Sequence, residues 1–450
     1  MPSIPTLAQF AQQMQSGATS SLKLVNESIE RIEDTSGEGH LAFLKVDTKA
    51  ARAAASASDQ LRQSGSTLSP LMGIPVSVKD LFDVAGQITR AGSKLLNDAA
   101  PAAADATCVD LLRRAGAIII GRTNMTEFAY SGLGLNPHYG TPASPYDRKT
   151  RRIPGGSSAG AGVSVADQMA VIGMGTDTGG SVRIPAALCG VTGFKPSTGR
   201  VSTKGALPLS TTYDSIGPLA PSVSCCITVD QILTQQAPAP LSPFPLKNCR
   251  LAIPSGIATD HLDKSVTASF EAAIATLAQA GAHIGEVRFD PIEDPMRPSN
   301  SGKLLAAEAY AWHRTYLKEQ STHYDQRVST RMMQAADTSA ADYIDLLNWR
   351  RHFLHDIKIA MEPYDALILP TTPAIAPSIS ALESSDERYF SANVLMLRNT
   401  SIINQIDGCA LSIPCHEPNT PPVGLMIAGA SMQDEKILRI GLAIEKLVGL

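Results

Sequence analysis

A short apolar run at 169–173 leads into Gly175-Thr176-Asp177-Thr178-Gly179-Gly180-Ser181, and Pro185 follows shortly after. The run predicts a strand, the paired glycines a tight turn, and Pro185 the first turn of a helix. Adjacent glycines let the chain reverse with backbone N–H groups free to point one way. A serine at that corner sits where the unpaired donors and positive dipole end of a helix converge. Chemistry that develops an oxyanion beside a serine ester wants such a site, where one positioned donor is worth about 2.7–4 kcal/mol. Taken alone, the segment reads as readily as a glycine-rich turn or a weak dinucleotide fingerprint. Its third glycine falls one place late for G-x-G-x-x-G, and no Walker lysine follows the glycine-rich run at 155–162.

The surrounding texture is α/β. Strands are predicted at 74–78 and 117–120, with a helix at 106–114 between them. Alternation of this kind argues for a sheet with helices on both faces. Residues 1–66 read as a helical segment packing on the core: Leu22, Val25, Ile29 and Ile32 form one apolar stripe, and an Ala-rich helix at 48–63 closes at Gly65. The proline-rich stretch 230–250 reads as a linker or crossing loop. An amphipathic helix follows at 263–280 through Val266, Phe270, Ile274 and Leu277. Residues 290–360 are polar, helical and hold both tryptophans, as an insertion or lid would; a strand at 366–370 and a helix through Ile437, Leu438, Ile440 and Leu442 complete the chain. Residues 67–450 are therefore expected to form a single domain, with a variable helical region at about 263–360.

At 450 residues, 44% hydrophobic, the chain buries a large core. A net charge of −4 without a Lys/Arg block argues against a nucleic-acid partner, because phosphate binding needs a basic face. The seven cysteines show no CxxC pair or Cys/His ligand spacing, so reduced thiols are expected and no metal or cofactor is implied. No basic segment followed by an apolar run opens the sequence, and no stretch approaches a membrane span, so a cytoplasmic protein without a membrane partner is expected.

Ser181 needs a base, and none of the nine histidines lies in a recognisable triad or metal pattern. Serine with lysine is the known alternative. Lys79 ends the strand of IPVSVKDLFDV, where burial would lower its pKa; without further context a solvated strand-end lysine is the simpler reading.

Three segments, IPVSVKDLFDV, IPGGSSAGAG and GMGTDTGGSVRIPAALCG, together resemble the amidase signature family in composition and order. The resemblance extends through GAIIIGRTNMTEFAYSGLGLNPHYGTPASPYD, GVTGFKPSTGRVS, DSIGP, YDALILPTTPAIAP and PPVGLMIAG, and so covers most of the chain. It implies the amidase signature fold, a central mixed twisted β-sheet with helices on both faces. It implies amide C–N hydrolysis through a seryl acyl-enzyme, with a small amide as substrate, carboxylated or aromatic, and no cofactor. By the resemblance Lys79 is the catalytic lysine, Ser157 a bridging serine preceded by a cis peptide, and Ser181 the nucleophile. The backbone N–H groups of Thr178, Gly179, Gly180 and Ser181 become the oxyanion donors. Ser158 and Asp177 hold the loops, Arg183 braces the nucleophile's turn, and Glu127, Phe128 and Tyr130 are candidates for the pocket wall.

The sequence departs from the family pattern at Ala159-Gly160-Ala161, where Gly-Gly-Ser is commoner, and at Pro221 and Cys225, where Arg and Asp are usual. Two other readings stay open: the A subunit of a glutamine-dependent tRNA amidotransferase, and a catalytically silent ligand-binding relative. Arg297, Arg314, Arg327 and Arg331 lie in the variable region and are candidates to bind an anionic substrate, with surface solvation the simpler reading of each. A homodimer is a family-level expectation.

Overall fold

The computed structural model describes residues 4–448. Among these, one mixed sheet is built from β1 (Phe43–Val46), β2 (Pro75–Lys79), β3 (Ile118–Thr123), β4 (Ile172–Asp177), β5 (Thr192–Lys195), β6 (Ser215–Ala220), β7 (Arg250–Pro254), β8 (His283–Val287), β9 (Ala366–Pro370), β10 (Cys409–Pro414) and β11 (Gly424–Gly429). The strand order is β1-β3-β2-β4-β6-β5-β10-β11-β9-β7-β8. β2 runs parallel to β3 and β4, and β7 runs parallel to β8 and β9; the central strands pair antiparallel. Helices cover both faces, because alternate residues of one strand feed two separate cores. In β3, Ile118 and Ile120 pack with Val25, Ile29 and Ala55 of the N-terminal helices, whereas Ile119 joins the core of Leu112 and Ile437.

The N-terminal stretch is not wholly helical. Helices Leu7–Gln15, Ser21–Glu33 and Thr48–Gln63 form as their apolar stripes require, but Phe43–Val46 pairs antiparallel with β3 and closes one sheet edge. Its aromatic and β-branched ends suit a half-buried strand better than a helix. The strand expected at 169–173 is shifted: β4 starts only at Ile172 and runs to Asp177, since its glycine-rich half is paired with β6 as far as Ser215.

The amphipathic helix appears as Lys264–Gln279, with Val266, Phe270 and Leu277 buried. The polar 290–360 region folds as the long helices Arg297–Gln320 and Ala340–Met361 with Gln326–Met333 between them. The proline-rich stretch is irregular after the helix Val223–Leu233. Among the described residues no helix is long and apolar enough to cross a membrane.

Candidate active site

β2 and β4 are parallel neighbours, so their C-terminal ends lie side by side, with Val78 opposite Met174. Open α/β sheets present ligand sites at such strand ends. Lys79, the last residue of β2, is fully buried, and its Nζ lies 2.7 Å from Ser157 Oγ and 2.7 Å from Thr176 Oγ1. Burial drives its pKa down from 10.5 to about 7, against the opposing pull of Asp214 and Asp177. The lysine is therefore poised to gain and lose a proton near neutrality.

Ser157 stands at the end of the glycine-rich loop, and the Gly156–Ser157 peptide is cis. The loop is packed too closely for side chains: a Cβ on Gly156 would lie 2.4 Å from Gly134 N. Ser158 follows, its N–H donating to Ser181 O (3.3 Å) and its Oγ to Thr176 O (3.4 Å). These contacts stitch the Ser157 loop to the Ser181 turn. The hydroxyls of Ser157 and Ser181 are themselves not hydrogen-bonded to each other among the described residues.

The turn after β4 is held from beneath by a buried ion pair. Asp177 accepts from Val182 N, Arg183 N and Arg183 Nε, and its other oxygen accepts from Arg183 Nη2 at 2.8 Å. Burial alone would raise this carboxyl, but Arg183, Lys195 and Asn404 hold it well below the usual carboxylate range. Asn404 completes the brace, donating to Asp177 Oδ1 (2.9 Å) and accepting from Arg183 Nη2 (2.7 Å). The carbonyls of the turn are tied as well: Thr400 Oγ1 donates to Gly179 O, Ile184 N to Gly180 O and Ser158 N to Ser181 O. By contrast, the N–H groups of Thr178, Gly179, Gly180 and Ser181 find no acceptor among the described residues. Thr178, Gly180 and Ser181 are buried and Gly179 is half-buried, so these donors stand at the edge of the cavity beside the serine.

Thr178, Gly179 and Ser181 open onto a cavity of about 630 Å³. Tyr130 and Ser131 form one side, residues 297–306 and 331–338 another, and Asn393 to Gln405 of the helix Asp386–Gln405 a third. Tyr130 is on the wall, but Glu127 and Phe128 are not. Glu127 instead accepts from Ser93 Oγ, His138 Nε2 and Asp325 N, and ties three loops together. Phe128 packs edge-on against His313 and near Trp312 and Tyr324, as an aromatic core residue does. Of the four arginines named from the sequence, Arg297 and Arg331 reach the cavity. Arg327 is paired with Asp386 over the ring of Tyr389, and Arg314 is absent from the wall.

The family model named Amidase matches residues 23–438. The chain belongs to the amidase family. It is 36% identical over 414 residues to 2-amino-5-chloromuconic acid deaminase of Comamonas testosteroni, covering 91% of this chain and 88% of that one. It is also 30% identical to the glutamyl-tRNA(Gln) amidotransferase A subunit of Roseiflexus castenholzii, covering 98% and 95% of the two chains. A crystal structure described as an amidase superposes with a TM-score of 0.89 at 32% identity, over 99% of this chain and all (100%) of the other.

Several residues of this candidate site carry no role in the expectations drawn from the sequence. Thr176, the second partner of Lys79, lies inside the glycine-rich segment, where its position two residues before Thr178 was the available signal. Asp214 accepts from Thr178 Oγ1 (2.5 Å), Leu209 N and Ser210 N, and burial raises its pKa to about 6 against those bonds and the attraction of Lys79. Thr400 and Asn404 come from a helix more than two hundred positions downstream, with nothing local to announce them. At the sites of departure, Ala159 to Ala161 start the buried helix Ala159–Ala166, and Cys225 sits in the helix Val223–Leu233, accepting from Leu7 N.

Proposed function

We propose that this amidase-family protein hydrolyses the C–N bond of a small amide, with Ser181 as nucleophile, Ser157 as relay and Lys79 as base. The observation that carries the reading is the contact between Lys79 Nζ and Ser157 Oγ, made by a fully buried lysine whose pKa is near 7. In the neutral amine the lone pair accepts the Ser157 proton. Ser157 in turn takes the Ser181 proton as Ser181 Oγ attacks the amide carbonyl. The new oxyanion is met by the N–H groups of residues 178–181, in a turn whose Gly179, Gly180 and Ser181 carbonyls are already committed elsewhere. Collapse breaks the C–N bond, and the proton returns along the relay to the leaving nitrogen. A water then attacks the acyl-enzyme by the same route, freeing the acid and restoring Ser181.

In this reading residues 67–450 act as one domain, and the variable region at about 263–360 supplies the specificity wall through residues 297–306 and 331–338. The experiment is ammonia release by the purified chain alone across a panel of primary amides, with Ser181→Ala as control. Release that the mutation abolishes supports the reading; release that survives it overturns the nucleophile.

A second reading is favoured by the likeness to the amidotransferase of Roseiflexus castenholzii over nearly the whole chain. There the same chemistry would deliver ammonia to partner proteins. Activity that emerges only when such partners are added would select it. A catalytically silent relative would leave Ser181 unlabelled by a small phosphonate even at alkaline pH.

A further inference from the structure

Asp214 is carried by the turn 208–214, between Leu207, whose N–H donates to Leu81 O, and the start of β6 at Ser215. Within the turn, Asp214 Oδ2 accepts from Leu209 N (3.0 Å) and Ser210 N (3.2 Å), and Asp214 N donates to Ser210 O (2.9 Å). The other carboxylate oxygen leaves the turn to accept from Thr178 Oγ1, on the first residue of the oxyanion set. Bonds of this internal kind give the turn its shape, but they do not fix where it sits. Thr211, at its tip, is exposed.

The placement comes from Glu308, on the helix Arg297–Gln320. Glu308 Oε2 accepts from Ser210 Oγ (2.5 Å) and Thr212 N (3.0 Å), and Oε1 accepts from Thr212 Oγ1. Apart from the Thr178 contact, the hydrogen bonds that leave the turn among the described residues all end on Glu308. Tyr343 OH, on the helix Ala340–Met361, donates to Oε1 as well (3.0 Å) and props the carboxylate from the far side. The Tyr213 ring adds packing, buried with Leu304 and Leu346 of the two helices.

The charged and ionisable groups around this junction are Lys79 and Asp177 on the sheet side and Tyr343 and Arg350 on the helix side. Asp177 is committed to Arg183, and Arg350, 5.3 Å over the Tyr213 ring, is paired with Asp407. Glu308 is half-buried and forms no ion pair among the described residues. Its carboxylate is spent on neutral donors, and carboxylate acceptors make the shorter, stronger class of hydrogen bond. Glu308 is absent from the cavity wall, whereas Ser301, Leu305 and Ala306 of the same helix line it.

We propose that Glu308 is a positioning residue of the Ser181 reaction: it ties the turn 208–214 to the helix Arg297–Gln320 and so fixes the Asp214 carboxylate against Thr178 and beside Lys79. This role deepens the Ser181 reading and rests on it. The helix that walls the cavity is then also the strut behind the proton relay. With the tie cut, the turn swings toward solvent and Asp214 withdraws, so the Lys79 ammonium loses its largest anionic support. The neutral amine persists to lower pH, and Thr178 loses the partner that steadies its end of the oxyanion turn.

The test follows the rate at which a small uncharged phosphonate labels Ser181, read by intact mass across pH, and needs no natural substrate. In Glu308→Ala the acid limb should fall from about 7, by at most about 1.5 units, the shift expected when the Asp214 charge is lost altogether. The plateau rate should drop roughly 10- to 100-fold, the scale of a small displacement transmitted from outside the chemistry. A glutamate that only stabilises the fold would lower the yield of folded protein and leave the limb in place, so an unmoved limb overturns the proposal.

Glu308→Gln separates the tie from the charge. Its amide oxygen replaces Oε2 toward Ser210 Oγ and Thr212 N, and its amide nitrogen faces two hydroxyls that accept as well as donate. Limb and plateau should therefore stay close to the wild type; a limb displaced as far by glutamine as by alanine overturns the tie. In an Asp214→Asn background, Glu308→Ala should move the limb no further, because both act through one carboxylate, and additive shifts overturn the proposal. If Glu308→Ala does not fold, Ser210→Ala combined with Thr212→Val loosens the same tie from the turn's side and should move the limb the same way; an unmoved limb again overturns it. Wild-type protein that takes no label at Ser181 would instead sink the underlying amidase reading, whereas the other contrary results leave the nucleophile standing.

Discussion

Replacing Asp214 with asparagine should move the acid limb of the amidase pH–rate profile to lower pH. Lys79 is lowered from 10.5 to about 7, which corresponds to roughly 5 kcal/mol against the ammonium form. Burial supplies that penalty, and Asp214 is the largest charge working against it. The two charges are held at neighbouring positions of one segment: Lys79 Nζ on Thr176 Oγ1, and the Asp214 carboxylate on Thr178 Oγ1. Residues two apart in an extended chain are ~7 Å apart, so a charge separation of roughly 8 Å follows. At an effective dielectric of ~20 this is worth ~2 kcal/mol, or about 1.5 pKa units. Removing the anion destabilises protonated Lys79, so the neutral amine persists to lower pH. The limb in kcat/KM should fall from about 7 to about 5.5. Asparagine keeps an acceptor near Thr178 and the loop amides, so the alkaline plateau should change far less than the limb. Because Asp214 itself titrates at about 6, the wild-type limb reports the pair rather than one group. A limb that stays in place, or moves upward, refutes the argument that Asp214 sets the proton affinity of Lys79.

Two further outcomes follow from the turn after β4. Gly180→Ala keeps the backbone N–H but should displace the turn and its donors, cutting kcat by about 100- to 1,000-fold, the scale of one misplaced oxyanion donor: Gly180 sits at φ +137° and a Cβ would lie 2.2 Å from Thr400 Oγ1. Steady-state kinetics beside an unfolding curve would check this, and an alanine enzyme with normal kcat would contradict it. Arg183→Met should destabilise the fold by about 3–5 kcal/mol, because it strands the buried Asp177 carboxylate. Denaturant unfolding reads this directly, and Asp177→Asn added to Arg183→Met should recover part of the loss; a single-mutant cost below about 1 kcal/mol would show the pair is not what holds the turn.

The legible part of this protein is the part written in contiguous segments. The strand at 366–370 is readable as an unbroken apolar run, and it appears as Ala366–Pro370. The helix at 263–280 is readable from a 3.6-residue stripe, and it appears as Lys264–Gln279. Lys79, Ser157 and Ser181, the residues of the proposed relay, each lie in a short segment of distinctive composition, and the structure brings Lys79 and Ser157 into contact. Phe43–Val46 escapes such a reading because four residues are too few to show a period between helices, and only pairing with β3 makes them a strand. Glu127 and Phe128 are misleading for a related reason. They adjoin Tyr130, which does face the cavity, but positive backbone angles at Phe128 and Ala129 turn the chain so that its neighbours point elsewhere.

What the sequence by itself determined is the local chemistry: which strand ends in lysine, which turn is glycine-rich enough to expose its N–H groups, and which serines stand beside them. Backbone torsions and side-chain alternation act over a few residues, so a few residues suffice to reveal them. Only the tertiary structure decided that Thr400 and Asn404 would brace the turn, and that Arg398 would enter the same cavity as Arg331 without a carboxylate to pair it. The bracing contacts join positions more than two hundred residues apart. They exist because one sheet and the helix Asp386–Gln405 pack against each other, and no local pattern encodes where a distant helix will come to rest.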